Sequence, residues 1–278
     1  MREIRTESII EPVAAAIVDA NLYLPRDVKD ALARARETET GSSGRTIMDQ
    51  LLENADTAAN TGLPLCQDTG LAVFFVYIGK ECCLRGDLTE ALNEAVRRGY
   101  SRGRLRNSVC HPLTRENTGD NTPAVIHTEL VPGMDFRIRF MAKGGGSENM
   151  SRATMLTPSG GWEGIKDFVL SRVAEAGPNP CPPTIVGLGI GGSFDRAPIL
   201  AKEALFRPLG EVHPDPELAG MEEELLTAVN RLGIGPMGLG GEVTSLGVKI
   251  NMAPCHIASL PLAVNIQCHS ARRAEVSL

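Results

Sequence analysis

From Met1 to about Asn60 the apolar positions fall at helical spacing. Ile9, Val13, Ala16, Ile17 and Ala20 recur three and four apart, the period that lines one face of a helix. Leu24-Pro25-Arg26-Asp27 interrupts that run and Val28–Glu37 resumes it. Gly41-Ser42-Ser43-Gly44 reads as a turn, and Thr46–Thr57 predicts a third helix with Ile47, Leu51 and Leu52 on one side. The period then changes. A loop over Thr61–Gly70 leads into Leu71–Ile78, an apolar run of strand length. Leu88–Tyr100 predicts a helix, and Thr122–Val131 with Asp135–Met141 predict a strand pair around Pro132-Gly133. Further on the pattern predicts a helix near Trp162–Ala174, a buried strand at Thr184–Ile190 and helices at Ala197–Leu205 and Pro216–Leu232. Strands are expected at Glu242–Val248 and Ile257–Gln267. The expected fold class is mixed α/β (α+β), one domain over 1–278, with a helical region at 1–60 packed on a mixed-sheet body at 61–278.

Composition narrows the function classes. A net charge of −6 argues against a nucleic-acid partner, because the phosphate backbone rewards clustered Lys and Arg. Apolar runs such as Leu71–Ile78 and Ile257–Ile266 are too short to span a bilayer. Glu3 and Glu7 stand where a targeting peptide avoids acidic residues, so the expected location is the cytoplasm. In that compartment the seven cysteines read as thiols, ligands or nucleophiles rather than disulfides. With 4% aromatics and 29 glycines, the chain favours tight turns and backbone anion-binding loops over base-stacking surfaces. The five histidines show no zinc-type spacing with each other or with cysteine.

Three cysteines share a position type. Cys66 and Cys181 each lie in a loop before a predicted strand, and Cys268 ends another. Thiolates at strand ends can converge on one metal group, and the prolines beside two of them stiffen the backbone. Any single cysteine in a cytosolic chain is more often an ordinary buried thiol. Cys82-Cys83, on an expected surface turn, Cys110 and Cys255 are left as such. Spacing alone does not choose three from seven.

The surrounding motifs do. Leu65-Cys66-Gln67-Asp68-Thr69-Gly70, Lys143-Gly144-Gly145-Gly146-Ser147, Asn179-Pro180-Cys181-Pro182-Pro183 with Gly187-Leu188-Gly189-Ile190-Gly191-Gly192, and Gln267-Cys268-His269-Ser270-Ala271-Arg272-Arg273 together resemble the iron–sulfur (class I) fumarate hydratase family, which includes L-tartrate dehydratases. The likeness covers nearly the whole chain, with the motifs in the family's order. It implies an oxygen-sensitive [4Fe–4S] cluster on Cys66, Cys181 and Cys268, with one iron left open to substrate. The expected activity is reversible hydration of a small dicarboxylate, fumarate/(S)-malate first and L-tartrate as the alternative. Because the chain ends soon after Cys268, it resembles an α subunit. The implied partner is a β subunit carrying the family's proton-abstracting threonine, in an (αβ)2 assembly.

The resemblance also implies roles for single residues. Asp68 is the expected acid and substrate ligand, and Gln67 the residue that orients substrate; read without the family, Asp68 in Asp-Thr-Gly simply caps a turn. Arg106 is expected to clamp a substrate carboxylate bidentately, with Arg102 and Arg104 as alternatives. Gly146 of the glycine run and His256 are expected at the substrate. His269 and Arg272-Arg273 are expected to support the cluster or to touch a partner subunit.

Gly187–Gly192 also satisfies G-x-G-x-x-G, the fingerprint of a nicotinamide-binding loop, and an NAD-dependent oxidoreductase is the more distant alternative. The acidic residue such a unit needs at the end of a second strand falls near Glu211, amid prolines and without a strand. The glycines are therefore expected to mark close backbone approach near the cluster.

Overall fold

A computed structural model describes all 278 residues. The chain opens with a short strand, β1 (Arg2–Arg5), then helices α1 (Glu7–Leu22), α2 (Arg26–Thr38) and α3 (Ser42–Thr61). Next come β2 (Leu71–Gly79), β3 (Cys82–Arg85), α4 (Leu88–Arg102), β4 (Val125–Val131), β5 (Phe136–Lys143), the single turn α5 (Gly145–Glu148) and β6 (Arg152–Leu156). The remainder is α6 (Gly161–Ala176), β7 (Thr184–Gly191), α7 (Arg196–Ala204), α8 (Pro216–Asn230), β8 (Ser245–Ala253), β9 (Leu260–Gln267) and β10 (Arg273–Ser277). The fold class is mixed α/β, as the periodicity requires. No helix is long and apolar enough to cross a membrane.

Two compact units share the chain. The first comprises Met1–Pro25, Ala55–Gly145 and Arg272–Leu278, the second Arg26–Asn54 and Gly146–Ala271. The first unit holds the sheet β10-β5-β2-β4 and the two-stranded sheet β1-β3. Its core joins Ile9, Val13 and Ile17 of α1 and Leu92 and Val96 of α4 to Phe74, Val76, Ile138 and Phe140 of the sheet. Burying each such side chain stabilises the fold by roughly 1.5–3 kcal/mol. Asp87 starts α4 by accepting the Glu90 amide at 3.0 Å, a cap worth about 1 kcal/mol.

Two sequence expectations change here. The strands 122–131 and 135–141 form, but not as a pair. β2 lies between them, parallel to β4 and antiparallel to β5. Its residues from Ala72 to Tyr77 are buried without interruption, so β2 needs a neighbour on each edge and cover on each face. Cys82-Cys83 is not a turn but β3, paired in parallel with β1, a strand of four residues too short to show a period. β6 and β10 were likewise not expected, and β8 begins at Ser245 rather than Glu242.

In the second unit the sheet order is β6-β9-β7-β8. Val186, Leu188 and Ile190 of β7 face a core built with α6 and α8. The alternate residues on β7 are Gly187 and Gly189, and they face α7. A Cβ on Gly187 would stand 2.2 Å from the Ala201 carbonyl, and one on Gly189 2.0 Å from that of Ala197. The glycines recur with the period of a strand and let α7 close on the sheet through Ala197 and Ala201. The close backbone approach expected of this motif is real, and its partner is a helix. Gly187 and Gly189 lie within the strand, and helix packing accounts for them without a phosphate-binding loop.

Candidate active site

Asp68 sits at the tip of the loop between α3 and β2, half-buried, and four groups of the first unit fix it. Its Oδ1 accepts the Gly70 amide at 3.1 Å and Nη2 of Arg106 at 3.4 Å. Its Oδ2 accepts the Gly145 amide at 2.8 Å. Its carbonyl accepts Nη1 of Arg272 at 2.6 Å. The other nitrogen of the Arg106 fork donates to Oε1 of Gln67 at 3.0 Å. Gln67, Asp68 and Arg106 thus form one polar cluster.

The geometry also separates the three arginines. Arg102 is committed to Glu11 at 2.6 Å, and Arg104 is exposed with φ 52°. Arg106 alone of the three reaches Gln67 and Asp68. With its side chain 54% exposed, its ion pair with Asp68 adds little stability. It is placed to bind a further anion rather than to hold the fold.

The glycine run is the other wall of this cluster. A Cβ on Gly144 would press on Oδ2 of Asp68 at 3.1 Å, and one on Gly70, at φ +71°, would strike the Lys143 carbonyl at 2.6 Å. Gly70 needs that left-handed conformation, and Gly144 must be bare for the Asp68 carboxylate to lie over it. Gly146 belongs to the second unit, where a Cβ on it would meet the Asn179 carbonyl at 2.9 Å.

Beneath the loop lie polar residues that sequence reading missed. The buried Tyr100 hydroxyl donates to the carbonyls of Thr69 and Gly70, both at 3.0 Å. Burial pushes its phenol well above the ordinary value, so it stays protonated and keeps donating. Asn121 Nδ2 donates to the Gly70 carbonyl at 3.2 Å, while its Oδ1 accepts the Ser108 amide at 2.6 Å. Thr69 Oγ1 donates to the Arg106 carbonyl at 2.9 Å, tying the two functional loops. Asn21 offered a sequence signal: a polar residue four beyond Ile17 on the apolar face of α1.

All seven cysteines are thiols. Cys66 is half-buried, two residues before Asp68. In the second unit, β7 and β9 are antiparallel with Ile185 opposite Gln267, so Cys181 before β7 and Cys268 after β9 lie at the same end of the pair. The His269 ring nitrogen is 3.0 Å from the Cys181 carbonyl, which joins the two loops. Cys181 is exposed at φ 55°, a conformation costly for a residue with a side chain. No three Cys, His, Asp or Glu side chains are drawn together at metal-binding distance. The donor set of soft thiolates at strand ends nevertheless suits iron–sulfur ligation.

His256 lies elsewhere. It precedes β9, at the end of the β7–β9 pair opposite to Cys181 and Cys268. There it lines an apolar cavity of about 410 Å³ with Trp162, Ile190 and Met221. Its Nδ1 accepts the Ala258 amide at 3.1 Å.

Comparison with known proteins adds the following. A family model described as fumarate hydratase (Fumerase) matches residues 10–277. The chain is 46% identical over 274 residues to a Methanocaldococcus jannaschii protein named putative L(+)-tartrate dehydratase subunit alpha, covering 96% of each. It is 36% identical over 269 residues to the L(+)-tartrate dehydratase subunit alpha of Escherichia coli K12, covering 95% of this chain and 89% of that one.

Proposed function

The chain belongs to the fumarate hydratase family, and on that premise we propose that it is the cluster-binding α subunit of a [4Fe–4S] hydro-lyase acting on a small hydroxy-diacid. The observation that carries this reading is the cluster of Gln67, Asp68 and Arg106, held beside a bare glycine backbone. The names of the relatives favour L-tartrate over the fumarate/(S)-malate expected from sequence alone.

Cys66, Cys181 and Cys268 would hold the cluster, whose open iron would act as a Lewis acid toward a carboxylate and hydroxyl of the substrate. The chain's own residues do the rest. Arg106 presents a planar fork that binds a second carboxylate through two parallel hydrogen bonds. Gln67, now accepting from that fork, turns its amide to the substrate hydroxyl. Every hydrogen bond made by the Asp68 carboxylate in this structure is one it accepts, so its oxygens are held in place as acceptors. In the hydration direction it takes the proton released by the attacking water. In dehydration the same group returns that proton to the departing hydroxide. The proton on the adjacent carbon needs a separate base, which we assign to a β subunit. The relatives' names, each a subunit alpha, support such a partner.

The test is co-expression without air alongside a β subunit of this family, followed by assays of L-tartrate, D-tartrate, L-malate and fumarate. The expected result is turnover only by the pair. L-tartrate should be preferred over L-malate by about 10² or more in kcat/KM, because a site built to bind the second hydroxyl penalises its absence. A preference for malate would reverse the substrate assignment, and robust turnover by this chain alone would remove the partner from the reaction.

A further inference from the structure

Arg272 is the largest fully buried side chain in the molecule, 1% exposed, and it is held by no ion pair. Burying a guanidinium without a carboxylate is expensive, and its Nε has no hydrogen-bond partner. A neutral residue of similar volume would fill the space at lower cost. What the charge does instead is specific. Nη1 donates to the Asp68 carbonyl at 2.6 Å and to Oδ1 of Asn21 at 3.3 Å. Asn21 is itself fixed, donating to the Ile17 carbonyl at 2.8 Å and accepting the Leu65 amide through its own carbonyl at 2.8 Å. Both ends of the segment Leu65–Asp68 are therefore tied to one buried point. Nη2 lies on the side of Gly144, 3.5 Å from where a Cβ would be, so the guanidinium also sits under the glycine run that Asp68 leans on. The Arg272 carbonyl accepts the Ala142 amide at 3.1 Å, fixing its backbone to the edge of β5.

We infer that Arg272 is a positioning residue for the reaction: through the Asp68 carbonyl and the Asn21 bridge it fixes where the Asp68 carboxylate lies against Arg106 and the Gly145 amide. The inference rests on Asp68 being a reacting group, and it assigns Arg272 to Asp68 rather than to the cluster or to a subunit contact. A displacement of about 1 Å in a reacting group lowers rates by about 10²-fold, and loss of this bridge frees Asp68 on that scale.

Arg272→Met, made in the αβ pair, keeps the volume and removes the donors. The expected result is a fall in kcat of about 10²-fold with little change in KM, and with iron and sulfide content at the wild-type level. Arg272→Lys, which can still donate to the Asp68 carbonyl, should recover part of kcat. It serves as the test variant should the methionine form fail to fold. Independently of activity, hydrogen exchange at the Gly70 and Gly145 amides, both held by the Asp68 carboxylate, should quicken in either variant. Wild-type kcat and unchanged exchange in a folded variant would overturn the inference. So would losses of activity that only follow the fraction folded. If the wild-type pair turns over no diacid, the functional reading fails, and exchange at Gly145 still decides whether Arg272 fixes Asp68.

Discussion

Asp68→Asn in the αβ pair is expected to lower kcat by about 10²–10⁴-fold, the range for loss of a positioned general acid–base. The asparagine preserves size, and its single oxygen can still accept one of the two amides, Gly70 or Gly145, that the aspartate holds on separate oxygens. The Asp68 carbonyl stays tied to Arg272, so the fold and the cluster content should hold. It cannot take a proton from water or return one to hydroxide. The Arg106 fork loses its charged neighbour in the same change, so KM for a dianion should stay near wild type or fall as kcat collapses. Steady-state kinetics with iron analysis on the same preparation separates this from simple loss of the cluster. An enzyme with near-normal kcat would leave Asp68 as the cap of a turn and nothing more.

Cys181→Ser is expected to remove both visible iron–sulfur absorption and turnover. A serine hydroxyl is a hard, protonated donor in place of a soft thiolate. The control is Cys83→Ser. Cys83 lies in β3, paired with β1, and its replacement should leave absorption and activity in place. Equal behaviour of the two variants would show that thiol position does not matter and would contradict the ligand assignment. Cys181 is the informative ligand to test because its backbone is held at φ 55°. A residue kept in that conformation at the end of β7 is a hypothesis of function read from observed strain.

Much of this was legible in the sequence for physical reasons. Long periodic segments such as α1 and α4 carry enough apolar positions to define a face, and β2 and β7 are apolar runs that can only be buried. Edge strands of four or five residues were not legible. β1, β3, β6 and β10 are short and mostly exposed or half-exposed, and pairing rather than pattern holds them. Pairing partners were also hidden: a tight Pro-Gly turn between two strands implies a hairpin, yet β2 inserts between β4 and β5.

Motifs singled out Gln67, Asp68 and Arg106, and the structure brings these three together while Arg102 pairs with Glu11. Tyr100 and Asn121, beneath the loop, come from distant parts of the chain and were not found. Arg272 was named only together with Arg273, as support for the cluster or a subunit contact, and nothing local distinguishes the two. The six-residue glycine pattern was ambiguous by spacing alone. Its spacing matched a nucleotide loop, but half of its glycines serve a strand that a helix must approach.

The most direct test of the central claim is Mössbauer spectroscopy of the anaerobically purified αβ pair, enriched in ⁵⁷Fe, before and after addition of L-tartrate or L-malate. The predicted result is one [4Fe–4S] cluster per αβ pair, with the signal of a single iron shifting on addition of the diacid while the others stay unchanged. A pair that turns over diacid with no iron, or a cluster whose irons all ignore the substrate, would contradict it.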